Sequence, residues 1–264
     1  MNGDLRYVYG IAGATAADRI AAARLRGVDG AAVETVVHDP LVAAASTVTA
    51  DTYGEAPLNE HIQDIDWLAP RAAQHQDVNA KLLQLTGGAV VPLSFGAIYR
   101  SDEGIHGLLD SRGGEFARRL AMLSGRGEWI ISIERHDAAA GPSEALRRLE
   151  DDIAAAPPGR AFLLSKRRDE TVREERRARD AAVVHATAAW LEGMGGRVYA
   201  EPLIEGSELP LVARFSVLAP LADAARLASE VERFGTREDA RGYRVRSSGP
   251  WPAYRFGSLE SVTT

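Results

Sequence analysis

The 264-residue sequence contains no cysteine. That absence excludes a disulfide framework, a thiolate nucleophile, an iron–sulfur cluster and any cysteine-type zinc site. No apolar run approaches the ~18 uninterrupted residues that a membrane-spanning helix needs. The opening MNGDLRYVYG has no basic stretch followed by an apolar one, so no signal peptide is expected there. Basic charge is also outweighed, with 31 Lys+Arg against 37 Asp+Glu and a formal charge of −6. A phosphate backbone would repel such a chain. The expectation is a soluble cytoplasmic protein with neither nucleic acid nor membrane as partner.

Large apolar side chains are few. Leu, Ile, Val and Phe make up 61 residues, about 23% of the chain, whereas alanine alone supplies 45. That content still exceeds the level at which disorder becomes the default. A folded chain whose core is built from thin side chains, favouring close helix packing, is expected.

Catalytic constellations are missing too. The histidines are His38, His61, His75, His106, His136 and His185, and none forms H-x-H or H-E-x-x-H. His61 and Asp64, one turn apart, come nearest to a metal pair, but a solvated helix face accounts for them. His75 lies near the apolar stripe of its helix, as a hydrogen-bonded, semi-buried histidine would. Gly10-x-x-Gly13 lacks the first glycine pair of a dinucleotide loop, and no parallel βαβ pattern follows it. There is no P-loop and no nucleophile elbow. No catalytic residue, cofactor site or metal site is nominated.

Periodicity supplies the architecture. Leu5, Tyr7, Tyr9 and Ile11 alternate onto one face of a first strand, and a helix from Thr15 to Leu25 ends at Gly27. Val28–His38 and Leu41–Val48 read as two strands joined at Asp39-Pro40. Pro57–Leu85 is helical, divided at Pro70, and Ala89–Ile98 reads as a strand with Val91, Leu93 and Phe95 on one face. Ser101 caps a further helix, Glu115–Leu123 forms another, and Glu128–Arg135 is a strand. This order is that of a ferredoxin-like α+β domain. The breaker Pro157-Pro158-Gly159 marks a boundary, giving a ferredoxin-like domain over 1–157 and an α+β domain over 158–264. The second holds a long helix over Ala161–Leu191, strands at Arg197–Ile204 and Leu211–Leu218, a helix at Leu221–Phe234 and a strand at Gly242–Arg246.

Two segments carry candidate binding residues. The run Lys166–Asp180 (KRRDETVREERRARD) has seven bases and five acids. Its three- and four-residue spacings, such as Asp169–Arg173 and Glu174–Arg177, allow it to lace itself into a helix. Arg173 and Arg177 on that helix are candidate contacts for an oppositely patterned partner. The second segment is Gly249–Phe256 (GPWPAYRF), whose two prolines stiffen the backbone after the last strand. Trp251, Tyr254 and Phe256 there form either an aromatic latch over the domain or a partner-binding anchor.

With these residues in view, the chain resembles the gas vesicle synthesis proteins of the GvpL/GvpF family. GPWPAYRF is similar to that family's G-P-W-P-P-Y-S-F tail, and Tyr7-Val-Tyr-Gly-Ile11 to its first strand. Val91-Pro-Leu-Ser-Phe-Gly-Ala-Ile98 resembles its P-L-R-F-G-T segment, with His75 where the preceding helix usually carries a histidine. The departures are Ala253 for the second tail proline, Arg255 for serine and Ser94 for arginine, so contacts at those positions are not carried over. The resemblance implies a two-domain α+β accessory protein that acts in assembling gas vesicles, the gas-filled protein shells that give cells buoyancy. It implies as partners the small hydrophobic shell protein and other gas vesicle accessory proteins, with gas vesicle association in the cell. The competing reading is a small-molecule-binding enzyme or sensor built on ferredoxin-like domains.

Overall fold

The structure, a computed structural model, describes residues 3–136, 143–203 and 211–258. The chain divides into two compact units: Met1–Trp129 with Leu218–Ala224 and Gly249–Thr264, and Ile130–Val217 with Ala225–Ser248.

The first unit opens with strand β1 (Asp4–Gly13), helix α1 (Ala17–Ala22) and strands β2 (Glu34–His38) and β3 (Leu41–Thr49). Three helices follow, α2 (Ala50–Tyr53), α3 (Glu55–His61) and α4 (Ile65–Thr86), and then strands β4 (Val90–Pro92) and β5 (Ile98–Tyr99). The sheet order is β2-β3-β1-β4, with β5 also pairing β1, and every pairing is antiparallel. A central first strand, with the β2–β3 hairpin on one side and β4 on the other, is the split βαβ arrangement that the element order predicts.

The period-2 reading of β1 holds only for half its length. Its register with β3 slips between Val8 and Gly10. A bulge of this kind turns later side chains to the opposite face. Tyr7 and Tyr9 therefore pack with Val78, Leu82 and Leu83 of α4, while Val8 and Ile11 lie in a second core. That second core is completed by helix α5 (Asp102–Leu123), through Ile105, Leu109, Phe116, Leu120 and Leu123.

Several boundaries differ from expectation. Val28–Gly30 is a short 3-10 turn, so β2 begins only at Glu34. The break in the long helix falls before Ile65, where the Asp64 side chain accepts from Asp66 N, and Pro70 lies inside α4. A cap that satisfies an otherwise unpaired N–H outweighs the tolerance of proline at a first turn. Ile62 and Ile65, on either side of this break, are 36% and 68% exposed. The expected strand at Ala89–Ile98 stops at Pro92, and Gly96 at φ +83° turns the chain. Phe95 then joins the core on the tyrosine side of the sheet while Val91 joins the other.

The helix expected at Glu115 proves to be the end of α5, which runs through Gly113 and Gly114. A glycine inside a helix costs roughly 0.5–1 kcal/mol relative to alanine. Burying several large apolar side chains, at ~1.5–3 kcal/mol each, outweighs that. Ser101 precedes the helix without capping it by its side chain. Hydrogen bonds from Ser101 and from the backbone instead hold the Glu103 carboxyl below the usual range.

The remaining elements are β6 (Arg126–Arg135), α6 (Glu144–Ala155), α7 (Pro158–Gly193), β7 (Arg197–Ala200), β8 (Leu211–Pro220), α8 (Ala224–Gly235), β9 (Tyr243–Trp251) and α9 (Tyr254–Gly257). Strands β7-β8-β6-β9 form a second sheet. The second unit's core contains Ile131, Ile133, Phe215 and Val217 with Val183 and Leu191 of α7 and Leu227, Val231 and Phe234 of α8. Of the predicted strand at Arg197–Ile204, Ile204 lies outside the described residues.

Phe116, fully buried, is the natural test of the second core of the first unit. Phe116→Ala is expected to cost about 3–5 kcal/mol in urea unfolding. A loss below about 1 kcal/mol would show that α5 does not organise this core.

Candidate functional site

The polar centre of the first unit is built from β1 and α4. Tyr7 points from β1 to His75 on α4, with its hydroxyl 2.9 Å from Nδ1, and the same hydroxyl accepts from Gly96 N at 3.2 Å. His75 Nε2 lies 3.1 Å from Leu93 O. A carbonyl can only accept, so Nε2 carries the proton and Nδ1 accepts from Tyr7. Both ring nitrogens are committed. His75 is 4% exposed, and burial pulls its pKa down to about 4 against a weaker upward pull from Leu93 O. Burial likewise raises the Tyr7 hydroxyl. The hydrogen bonding is as expected from sequence, but the ring is buried where a semi-buried one was expected.

Aromatic rings enclose this pair. Tyr9, Tyr53 and Phe95 lie 4.9–5.9 Å from Tyr7 between ring centroids. Trp67, one turn into α4, is stacked on His61 at 4.8 Å and covered by the Arg71 guanidinium at 4.2 Å. Arg71 also pairs with Asp29 at 2.7 Å, and Tyr53 donates to the same carboxylate at 2.7 Å. His61 is thus spent on stacking, and among the described residues no cluster of three or more His, Cys, Asp or Glu is arranged to hold a metal.

The tail closes over this centre. Gly249, at φ +136°, is the position where a Cβ would stand 2.8 Å from Glu128 O and 3.0 Å from the Trp129 ring. No other residue fits there. The last strand extends beyond the expected Arg246 to Trp251, so Trp251 sits at a strand end rather than in a loop, 38% exposed. Pro252 and Ala253 are buried, and α9 forms immediately after them. Arg255 N donates to Glu128 at 2.9 Å, and Phe256 O accepts from Arg119 at 3.0 Å. The Tyr254 ring lies 6.3 Å from His75. Its buried hydroxyl has a pKa raised by desolvation and held back by the Asn79 side chain, though the pair falls short of hydrogen-bond geometry.

Tyr254 and Phe256 thus come together on the first unit. Arg173 and Arg177 belong to the second unit, where they are exposed on α7. The expected ion pairs Asp169–Arg173, Glu174–Arg177 and Glu175–Arg179 do not close. Asp169 pairs with Arg168 instead, Glu175 accepts from Ser143, and Asp180 accepts from Arg135 and Tyr243. Burial first, and then the Asp180 carboxylate, push the Tyr243 hydroxyl up to about 12. Asn79 was readable only as a polar interruption of an apolar stripe. Its spacing of four from His75 was the available signal, though its Nδ2, 3.1 Å from a ring Nε2 that already donates to Leu93 O, makes no hydrogen bond to it.

A split βαβ sheet, a neutral histidine locked in an aromatic core and a proline–aromatic tail folded onto it define a mixed α/β protein whose last turn belongs to its core. Among the described residues no helix is long and apolar enough to cross a membrane. The chain belongs to the gas vesicle synthesis protein GvpL/GvpF family, whose sequence model matches residues 5–258, and it takes part in gas vesicle formation. It is 29% identical to gas vesicle protein L of Streptomyces sp. (strain CB03234) over 259 residues, covering 97% of this chain and 93% of that one. It is 26% identical to gas vesicle protein L2 of Halobacterium salinarum, covering 96% and 91%. Its fold matches the crystal structure of GvpF from Anabaena sp. PCC7120 with a TM-score of 0.68 at 17% identity, over 97% of each chain. GvpF from Microcystis aeruginosa gives 0.63 at 17% identity, over 97% of this chain and 99% of that one.

His75 makes stability depend on pH. The unfolded histidine takes up a proton near 6.5, whereas the folded one resists until about 4. Stability is therefore full above 6.5, falls by roughly 3 kcal/mol as the pH drops to 4, and loses nothing more to this group below that. Urea midpoints measured across that range should flatten in His75→Gln. An unchanged slope would mean that the loss comes from other groups.

Proposed function

We propose that this protein is an assembly factor that binds the small hydrophobic shell protein, and other gas vesicle accessory proteins, as vesicles form. The observation that carries the reading is the family match across residues 5–258, which includes the tail. The protein acts by contact rather than by catalysis, in keeping with a His75 whose two nitrogens are already occupied. Within the tail, Tyr254 and Phe256 serve as the latch, and the 38% exposed Trp251 is the side chain offered to a partner. Large, amphipathic and stiff, tryptophan gives contact area at little entropic cost. Arg173 and Arg177 offer a second, electrostatic contact on the exposed face of α7. The protein is associated with gas vesicles during assembly.

Co-expression with the gas vesicle proteins and affinity capture on the full chain tests this. Capture of the shell protein is expected, and recovery of no gas vesicle protein would overturn it. Trp251→Ala should weaken capture about tenfold with the melting temperature unchanged. Tyr254→Ala should lower stability by roughly 2 kcal/mol. If Trp251→Ala leaves capture intact, the tail contributes no contact.

A further inference from the structure

Helix α7 spans 36 residues, about 54 Å at 1.5 Å per residue. Its three buried residues, Val183, Thr187 and Leu191, all fall in its last third. From Pro158 to Ala182 no residue is buried. Helix α6 packs against α7 and itself buries only Leu146. The half-buried Leu164, Arg168, Thr171 and Glu175 recur at steps of four, three and four. This row faces α6, whose capping Ser143 donates to Glu175 at 2.7 Å.

The opposite row is exposed throughout. Leu163, Lys166, Glu170, Arg173 and Arg177 follow one another at steps of three, four, three and four, the spacing of a coiled-coil seam. Phe162 widens its apolar end, for Phe162 and Leu163 are 61% and 66% exposed, and Lys166 Nζ lies 5.0 Å over the Phe162 ring. Glu170, Arg173 and Arg177 make no ion pair among the described residues. Acids close by are engaged elsewhere, Asp169 with Arg168, Glu175 with Ser143 and Asp180 with Arg135. Three cations and one anion are left on the row, in a chain whose formal charge is −6. A helix that buries nothing depends on pairs along its own surface or on packing against another element. Here the surface pairs stay open, and the seam has no second helix on it.

We propose that this row docks an amphipathic helix of another gas vesicle protein. That helix sets large apolar side chains against Phe162 and Leu163. Its acidic side chains, three and four residues apart, then meet Lys166, Arg173 and Arg177. The inference rests on the proposed assembly role, and it names the face and the partner chemistry of the electrostatic contact. The spacing selects a helix over an extended segment, because only a helix returns its side chains at these steps. Glu170 disfavours anionic lipid, which offers one sign of charge along the whole row. The same residue sets the register, since the partner has to place a basic or amide group opposite it. A second copy laid parallel would bring Lys166 against Lys166 and Arg173 against Arg173.

The test is capture of co-expressed gas vesicle proteins on the full chain, with melting curves recorded for each variant. Arg173→Gln combined with Arg177→Gln should weaken capture about tenfold, and Leu163→Gln several-fold. Melting temperatures should not change, because none of these side chains is buried. Arg176→Gln removes an exposed charge that lies off the row and should leave capture as it was. Equal losses from Arg176→Gln and Arg177→Gln would mean a diffuse attraction and overturn the seam. Because the chain has no cysteine, Glu174→Cys also gives a unique attachment point for a benzophenone cross-linker. Its adducts should map to a helix of a gas vesicle protein with acids at three- and four-residue steps. Adducts on a basic or extended segment, adducts on a second copy of this chain, or flotation with anionic-lipid vesicles would each overturn the proposal. So would a wild-type chain that captures gas vesicle proteins while the double variant and Leu163→Gln capture them within twofold. Failure of the wild-type chain to capture any gas vesicle protein is a different result, and it removes the assembly reading itself.

Discussion

The hydrogen bond between Tyr7 and His75 is the contact on which the first unit is organised. Tyr7 stands on the central strand of its sheet, so whatever its hydroxyl holds is held to the middle of the fold. It holds α4 through His75 and the turn after β4 through Gly96 N. His75 then passes the constraint to Leu93 O. Removing one member leaves a buried polar atom without a partner, at a cost of about 1–3 kcal/mol. The neutral state of the histidine belongs to the same arrangement, because a charged ring would need a solvation this core does not supply.

The tail depends on that centre. Once α4 is fixed, Asn79 is brought close to β1, so that a Cβ at Gly10 would stand 3.0 Å from Asn79 Oδ1 and crowd it. The Tyr254 ring then settles beside His75, and Ala253 and Phe256 join the core beneath α5. Backbone groups of the tail are satisfied by side chains far away in sequence, Glu128 and Arg119. The tail thus behaves as an internal element, with a buried apolar side and its own hydrogen-bond partners. Under the proposed role it divides its aromatic residues, with Tyr254 and Phe256 turned inward and Trp251 left at the surface.

Local chemistry explains which parts of this were legible in the sequence. Alternation and turn residues gave the order β1-α1-β2-β3 and the pairing about Asp39-Pro40, because each feature acts within a few residues. The bulge in β1 was invisible, since Tyr9 and Gly10 continue the alternation on paper while the register with β3 decides the face. The unbroken α5 was hidden for the opposite reason. Gly113 and Gly114 are strong local signals against a helix, and only the distant sheet that covers Phe116 and Leu120 overrides them. His75 was readable as a semi-buried, hydrogen-bonded residue because it sits near an apolar stripe. Its partners Tyr7 and Leu93 were not, for they lie 68 and 18 residues away. The tail was recognisable as unusual from its prolines and aromatics, but its contacts with Glu128 and Arg119 carry no mark in the sequence.

Surface chemistry links the acidic composition to the proposed role. The exposed large apolar side chains are dispersed over several elements: Val37 on β2, Ile62 and Ile65 around the start of α4, Phe162 and Leu163 on α7, and Trp251 at the tail. A broad apolar face could hold a hydrophobic partner, but it would also hold a second copy of the same protein. Separate anchors avoid that outcome, because each is too small to drive association alone and only a partner carrying matching groups engages several together. The formal charge of −6 works in the same direction by keeping like chains apart. Under the proposed role, an acidic surface helps keep copies of a carrier apart while it holds a hydrophobic subunit.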